Sequence, residues 1–136
     1  MAQKLFELII TLRKKCLQTE EAIRSELKLT PGEFNGLLSI ESGEKVPGLV
    51  FSHRLGLSAS RGSRVLNRML DNGYITLSTV PDDRRSAEAS LTHKGTRMRQ
   101  SILELMEACE KKIVSQLSGK ETELVMRTLQ RLVEVM

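Results

Sequence analysis

A chain of 136 residues, 28% charged and 40% hydrophobic, is of single-domain length, able to hold a core and too apolar for disorder. No apolar run is long enough to cross a bilayer, and the two cysteines, Cys16 and Cys109, stand too far apart to read as a disulfide framework. Aromatics make up 3% and tryptophan is absent, so an aliphatic core of Leu, Ile, Val and Met is expected.

Residues 3–27 repeat apolar side chains at helical spacing: Leu5, Leu8, Ile9, Leu12, Cys16, Ile23 and Leu27. The stripe is interrupted at residues 19–21, where a bend is expected. Thr30, Pro31 and Glu33 then form a capping box with proline at the first helical position. The helix they open carries Phe34, Leu37, Leu38 and Ile40 and is expected to end near residues 41–43. A short third helix is expected to open at Pro47, carry Leu49, Val50 and Leu55, and stop at Gly56. Ser58 caps a fourth over residues 59–72, with Gly73 placed for a left-handed residue after its end. The tight turn Leu55-Gly56-Leu57-Ser58 between two helices has the layout of a helix-turn-helix.

Residues 74–79 are rich in strand formers, 80–86 read as a polar hairpin tip, and 87–91 return as a second strand. Thr92 caps a long helix to about residue 116, striped by Met98, Ile102, Leu105, Met106, Cys109, Ile113 and Leu117. Ser118 and Glu121 form a second capping box, opening a last helix with Leu124, Val125, Leu129, Leu132, Val133 and Met136.

The net charge of +4 is unevenly placed. Residues 45–99 hold ten basic and four acidic side chains, against 11 basic and 13 acidic elsewhere. A basic middle between near-neutral ends is the electrostatic footprint of a nucleic-acid reader.

On the fourth helix, Val65, Leu66, Met69 and Leu70 are expected to pack inward, with Ser60, Arg61, Ser63, Arg64, Asn67 and Arg68 on the remaining surface. A helix fits the major groove, arginine can bond guanine through two hydrogen bonds, and serine can bond bases or phosphates. Candidate DNA contacts are therefore Ser58, Ser60, Arg61, Ser63, Arg64 and Arg68. The hairpin tip adds Arg84 and Arg85, suited to the negative potential of a minor groove. Arg84 is the better candidate for DNA, and Arg85 for a stiffening pair with Asp82 or Asp83. Both terminal segments carry long apolar stripes that something must cover, and a second copy of the chain is the expected cover.

No nucleophile elbow, phosphate-binding glycine loop or pair of catalytic acids is found, so no enzyme and no catalytic residue is expected. His53, His93 and the cysteines lack metal-ligand spacing, so neither metal nor cofactor is expected. Cys16 and Cys109 lie on apolar stripes and read as structural thiols. Residues 1–11 lack the pattern of a secretory signal, and a cytoplasmic location is expected.

Leu29-Thr30, the turn at residues 55–58, Leu70-Asp71-Asn72-Gly73-Tyr74-Ile75, Asp83-Arg84-Arg85 and Leu91-Thr92-His93-Lys94-Gly95 together resemble the MarR family of bacterial transcriptional regulators, over essentially the whole chain. Residues 46–54 depart from the family's more regular helix at Pro47 and Gly48, and the wing is compact. The resemblance implies a homodimer with one winged helix-turn-helix per subunit, repressing at a pseudo-palindromic operator and released by a small anionic or aromatic ligand or an oxidant. The expected architecture is mainly α with a small β hairpin, one domain over residues 1–136: a winged module at 30–92, with dimerisation helices at 1–28 and 93–136. Expected partners are double-stranded DNA, a second copy and a small-molecule effector, with no membrane. The alternative is a winged-helix protein-interaction module that does not bind DNA.

Overall fold

The computed structural model describes residues 3–80 and 83–136, with side chains for all of these except 80 and 83–86. Its elements run α1 (Leu5–Leu27), α2 (Pro31–Ser39), β1 (Val46–Pro47), α3 (Gly48–Arg54), α4 (Ala59–Asp71), β2 (Ile75–Val80), β3 (Asp83–Leu91), α5 (His93–Ser115) and α6 (Gly119–Val135). The chain divides into two compact units between Leu103 and Glu104.

In the first unit α1 continues without a break through residues 19–21, and Lys28 turns left-handed after it, its N–H bonding Arg24 O and Ser25 O. The helix starts are set by local chemistry. Thr30 Oγ1 accepts from Glu33 N at 3.2 Å while Glu33 Oε1 accepts from Thr30 N at 3.1 Å. Ser58 Oγ accepts from Arg61 N at 3.2 Å. Thr92 Oγ1 accepts from Gly95 N at 3.0 Å and donates to Gly73 O at 2.6 Å. The bonds that the Thr30, Ser58 and Thr92 hydroxyl oxygens accept each satisfy a helix N–H that has no partner within its own helix.

The β part is larger than a hairpin. Three antiparallel strands stand in the order β1-β3-β2. Val46 faces Ala89 and Pro47 faces Glu88, while Ile75 faces Leu91 and Leu77 faces Ala89. A two-residue strand has no alternation to betray it, and its proline is tolerated because β1 is an edge strand. Pro47 also serves as the N-cap residue of α3, so that helix begins at Gly48. Strand β3 extends back to Asp83, which shortens the expected 80–86 tip; Pro81 and Asp82 lie outside the described residues.

The core of this unit contains Leu29, Leu37, Ile40, Val46, Leu66, Met69, Ile75, Ala89 and Ile102, but also Phe34, Phe51 and Tyr74. The expectation of an aliphatic core is thus corrected. Aromatics are few, yet three of them sit inside, where one ring buries more area than any aliphatic side chain. Helix α3 does not bury the first apolar residues that mark it in the sequence. Phe51 and Ser52 are buried, whereas Leu49 is 71% and Val50 41% exposed. Helix α2 ends at Ser39 because Ile40 is already extended, and Ile40 is buried.

The connection from α2 to β1 is pinned by an ion pair. Arg54 Nη1 and Nη2 donate to Glu44 Oε1 and Oε2 at 2.9 and 2.7 Å, and Nη1 also reaches Ser39 O at 2.7 Å. The Arg54 hydrogen bonds, helped by Glu41 N–H, bring the Glu44 carboxyl from 4.5 down to about 2. A lowered native pKa contributes stability above the unfolded value and loses it as pH falls toward the native one. Both side chains are about one-third exposed, so the effect is small. Glu44→Gln is expected to melt slightly below the wild type at pH 7, the gap closing between pH 4.5 and about 2 in thermal unfolding followed by circular dichroism. A gap independent of pH would remove the ion pair as its cause.

In the second unit Ser118 Oγ accepts from Glu121 N at 3.1 Å and Glu121 Oε1 accepts from Ser118 N at 3.0 Å, so α6 starts as expected. None of its residues is buried.

Candidate nucleic-acid interface

Helix α4 is two-sided. Gly62, Leu66 and Met69 are buried, and Ser60, Arg61, Ser63, Arg64, Asn67 and Arg68 are exposed. The inward face differs from expectation in its edges, since Val65 is half-buried and Leu70 is 40% exposed. The sequence periodicity placed four apolar residues inward, but glycine takes the place nearest α3. Gly62 crosses α3 so closely that an added Cβ would collide with Ser52 Oγ and lie 3.1 Å from Ser52 Cα. Gly73 then ends the helix region with φ +75, a conformation that costs glycine little.

The exposed side chains fall on two flanks. Arg61 and Arg64 line a surface groove with Pro31, Gly32 and Asn35 of α2, and Arg64 and Arg68 line the neighbouring one with Thr30 and Asp71. Ser63 and Asn67 line a cleft of about 310 Å³ on the other flank, with Gly48, Leu49 and Ser52 of α3 and Leu77 and Ala87 of the sheet. Asn67 borders the Arg64–Arg68 groove as well, so the cations follow one edge of α4, Ser63 the other, and Asn67 stands between them.

Ser58 is the N-cap residue, so its oxygen accepts from a backbone N–H and its hydroxyl hydrogen remains to donate. Arg68 has a protein partner: its Nε stands 3.7 Å from Glu33 Oε1, with the Arg68 side chain 62% and the Glu33 side chain 4% exposed. Arg84 and Arg85 belong to β3 by their backbone, and their side chains lie outside those described.

Sequence reading missed what lies beneath α4. Glu33 is buried, and its Oε2 accepts from Asn72 Nδ2 at 2.7 Å across 39 positions of sequence. The capping box announced Glu33, but no local signal pairs it with Asn72. Lys94 closes the other side of this helix end: its Nζ donates to Asn72 O at 2.7 Å and lies 5.0 Å from the Tyr74 ring centre. Burial, with the Glu33 charge, raises the Tyr74 phenol above its usual value. His53, His93 and Cys16 are exposed and Cys109 is half-buried. Among the described residues no group of three His, Cys, Asp or Glu side chains could hold a metal ion, and no helix is long and apolar enough to cross a membrane.

No family model and no curated protein matches the sequence. Solved structures match along nearly the whole chain. A mutant of E. coli MarR shares 19% identity over 98% of each chain with a TM-score of 0.82. Staphylococcus aureus MarR, solved in complex with salicylate and kanamycin, shares 19% identity over 96% of this chain and 88% of its own, with a TM-score of 0.84. A transcriptional regulator from Thermotoga maritima shares 27% identity over 98% of this chain and 95% of its own, with a TM-score of 0.64. The six helices and three-stranded antiparallel sheet of the described residues, with a capped, cation-edged fourth helix after a tight turn, give this chain the winged-helix fold of the MarR transcriptional regulators.

Proposed function

We propose that the chain is a transcriptional regulator that binds double-stranded DNA sequence-specifically as a homodimer, represses at a pseudo-palindromic operator and is released by a small ligand. The observation that carries this reading is the outward edge of α4, with Arg61 and Arg64 exposed on a helix whose opposite face, Gly62, Leu66 and Met69, is fixed in the core. A helix so anchored presents its first turns to a major groove without further rearrangement. Arg61 and Arg64 then read guanine edges, Ser60 and Ser63 bond bases or phosphates, and Ser58 and Arg68 contact the backbone. Arg84 and Arg85 extend the contact into the minor groove, Arg84 foremost. In this reading residues 30–92 form the DNA-binding module and residues 1–28 and 93–136 the dimerisation helices. The exposed apolar side chains of α1 and α6 support the dimer. The salicylate bound to the Staphylococcus aureus protein suggests the class of effector, a small aromatic anion.

Selection of duplexes from a random pool by the purified protein, followed by titration of the recovered duplex at several salt concentrations, tests the proposal. The recovered site is expected to be a pseudo-palindrome, with affinity falling steeply as salt rises because arginines displace phosphate counterions. Arg64→Ala is expected to lower discrimination against changed base pairs about 10- to 100-fold, the worth of one bidentate contact. Arg84→Ala is expected to weaken all duplexes about equally, and salicylate to weaken binding of the selected one. Enrichment of no sequence, with affinity indifferent to salt and to both variants, would sink the proposal.

A further inference from the structure

We propose that Glu33, buried on α2, is a positioning residue for α4 that acts through Asn72 and Arg68; this rests on the DNA-binding reading for its consequence, though not for its geometry. The carboxylate is 3% exposed as a residue and its oxygens are divided between two tasks. Oε1 accepts from Thr30 N and Thr30 Oγ1 at 3.1 and 3.0 Å, which closes the start of α2. Oε2 accepts from Asn72 Nδ2 at 2.7 Å, and Arg68 Nε stands 3.7 Å from Oε1.

Arg68 lies in the last turn of α4 and Asn72, four positions on, is the residue that ends the helix. A single buried charge thus holds the last turn of α4 and the residue that ends it to the first turn of α2. At its other end α4 rests on α3 where Gly62 meets Ser52. Two fixed points set the tilt and roll of a rigid helix. Arg61 and Arg64 extend from that helix, so their aim at base edges depends on both points. The same contact draws the Arg68 guanidinium toward Glu33 and partly offsets its charge.

The burial of Glu33 gives the contact its strength. A carboxylate out of water requires its partners, and a hydrogen bond to a charged group is stronger than one between neutral groups. Deleting Asn72 Nδ2 leaves one oxygen buried and unbonded, which favours a shifted α4 over an unpaired charge.

The test uses the full chain with Asn72→Ala, Glu33→Ala and Glu33→Gln. Asn72→Ala leaves the Thr30–Glu33 capping box intact, and glutamine keeps the cap and can still bond Asn72 once that amide turns over. The readout is the ratio of affinities for the selected duplex and for duplexes with one base pair changed. That ratio does not depend on how much of the protein is folded, so a merely destabilising change leaves it where it was. Asn72→Ala and Glu33→Ala are expected to lower it at least fivefold, and Glu33→Gln to restore most of the loss. A ratio unchanged in Asn72→Ala and Glu33→Ala would overturn the proposal. Amide hydrogen exchange over residues 66–72 needs no DNA and decides the geometry separately. Exchange is expected to quicken at least tenfold in Asn72→Ala and little in Glu33→Gln; equal exchange in Asn72→Ala and the wild type would overturn the clamp. A wild type that discriminates between no duplexes would count against the functional reading while the exchange result still stands for or against Glu33.

Discussion

Leu124→Asp combined with Leu129→Asp on α6 is expected to convert the protein from a dimer to a monomer and to weaken binding to a palindromic duplex by at least 100-fold. In the isolated chain Leu124 is 56% and Leu129 44% exposed, alongside Val125, Met126 and Val133. Helix α1 shows the same pattern, with Leu5, Phe6, Leu8 and Leu12 each about half exposed or more. So large an apolar surface on two long helices requires a cover. Fully burying a leucine side chain contributes about 1.5–3 kcal/mol; with about half of each still exposed, two per subunit and four per dimer make about 3–6 kcal/mol. At 1.4 kcal/mol per tenfold, losing that and placing aspartate there shifts the dimer constant by at least about 10². A dimer that grips one half-site holds the second module near the other at about millimolar effective concentration, which is the advantage a monomer forfeits. Sedimentation equilibrium reads the first expectation and titration of full and half palindromes the second. The affinity for a half-site should stay the same, because α4 is untouched. A wild type that sediments at 15.3 kDa would refute the dimer directly.

What could be read from the sequence, and what could not, divides by distance along the chain. Thr30, Ser58, Thr92 and Ser118 were legible as helix starts because each capping contact is made within three residues. Periodicity located the six helices for the same reason. Strand β1 was not legible: two residues carry no pattern, and their partners Glu88 and Ala89 lie far along the chain. The orientation of α3 was not legible because Leu49 and Val50 look like core residues, whereas the crossing with α4 turns Phe51 and Ser52 inward instead. Arg68 was read as a surface cation and is exposed, but its partner, the buried Glu33 carboxylate 35 positions earlier, leaves no local signal. Glu33 itself was visible as half of a capping box, and its longer-range bond to Asn72 was not. The polar edge of α4 was legible because arginine and serine recur there at helical spacing; Arg61 and Arg64 are indeed exposed.

Gly62→Ala is expected to destabilise the protein by up to about 2 kcal/mol, although alanine is the better helix former, and to weaken DNA binding with it. On an exposed stretch of helix the exchange of glycine for alanine would stabilise by about 1 kcal/mol. Here the new methyl meets Ser52, with Ser52 Cβ at 2.7 Å and Cα at 3.1 Å from where it must sit. Rotating the serine side chain moves its hydroxyl but neither of those carbons, so the helices must separate. Overpacking of this kind costs about 1–3 kcal/mol, enough to outweigh the propensity gain. Separation also moves the N-terminal turns of α4, where Arg61 and Arg64 lie, relative to the turn that precedes them. Ser52→Gly removes the Cβ and hydroxyl from the crossing, so Gly62→Ala placed in that background should cost less than in the wild type. The measurement is a double-mutant cycle by chemical denaturation, which isolates the coupling between the two positions. A higher stability for Gly62→Ala, or costs that simply add in the double variant, would mean that α3 and α4 do not meet at this point and that the close crossing does not set the pose of α4.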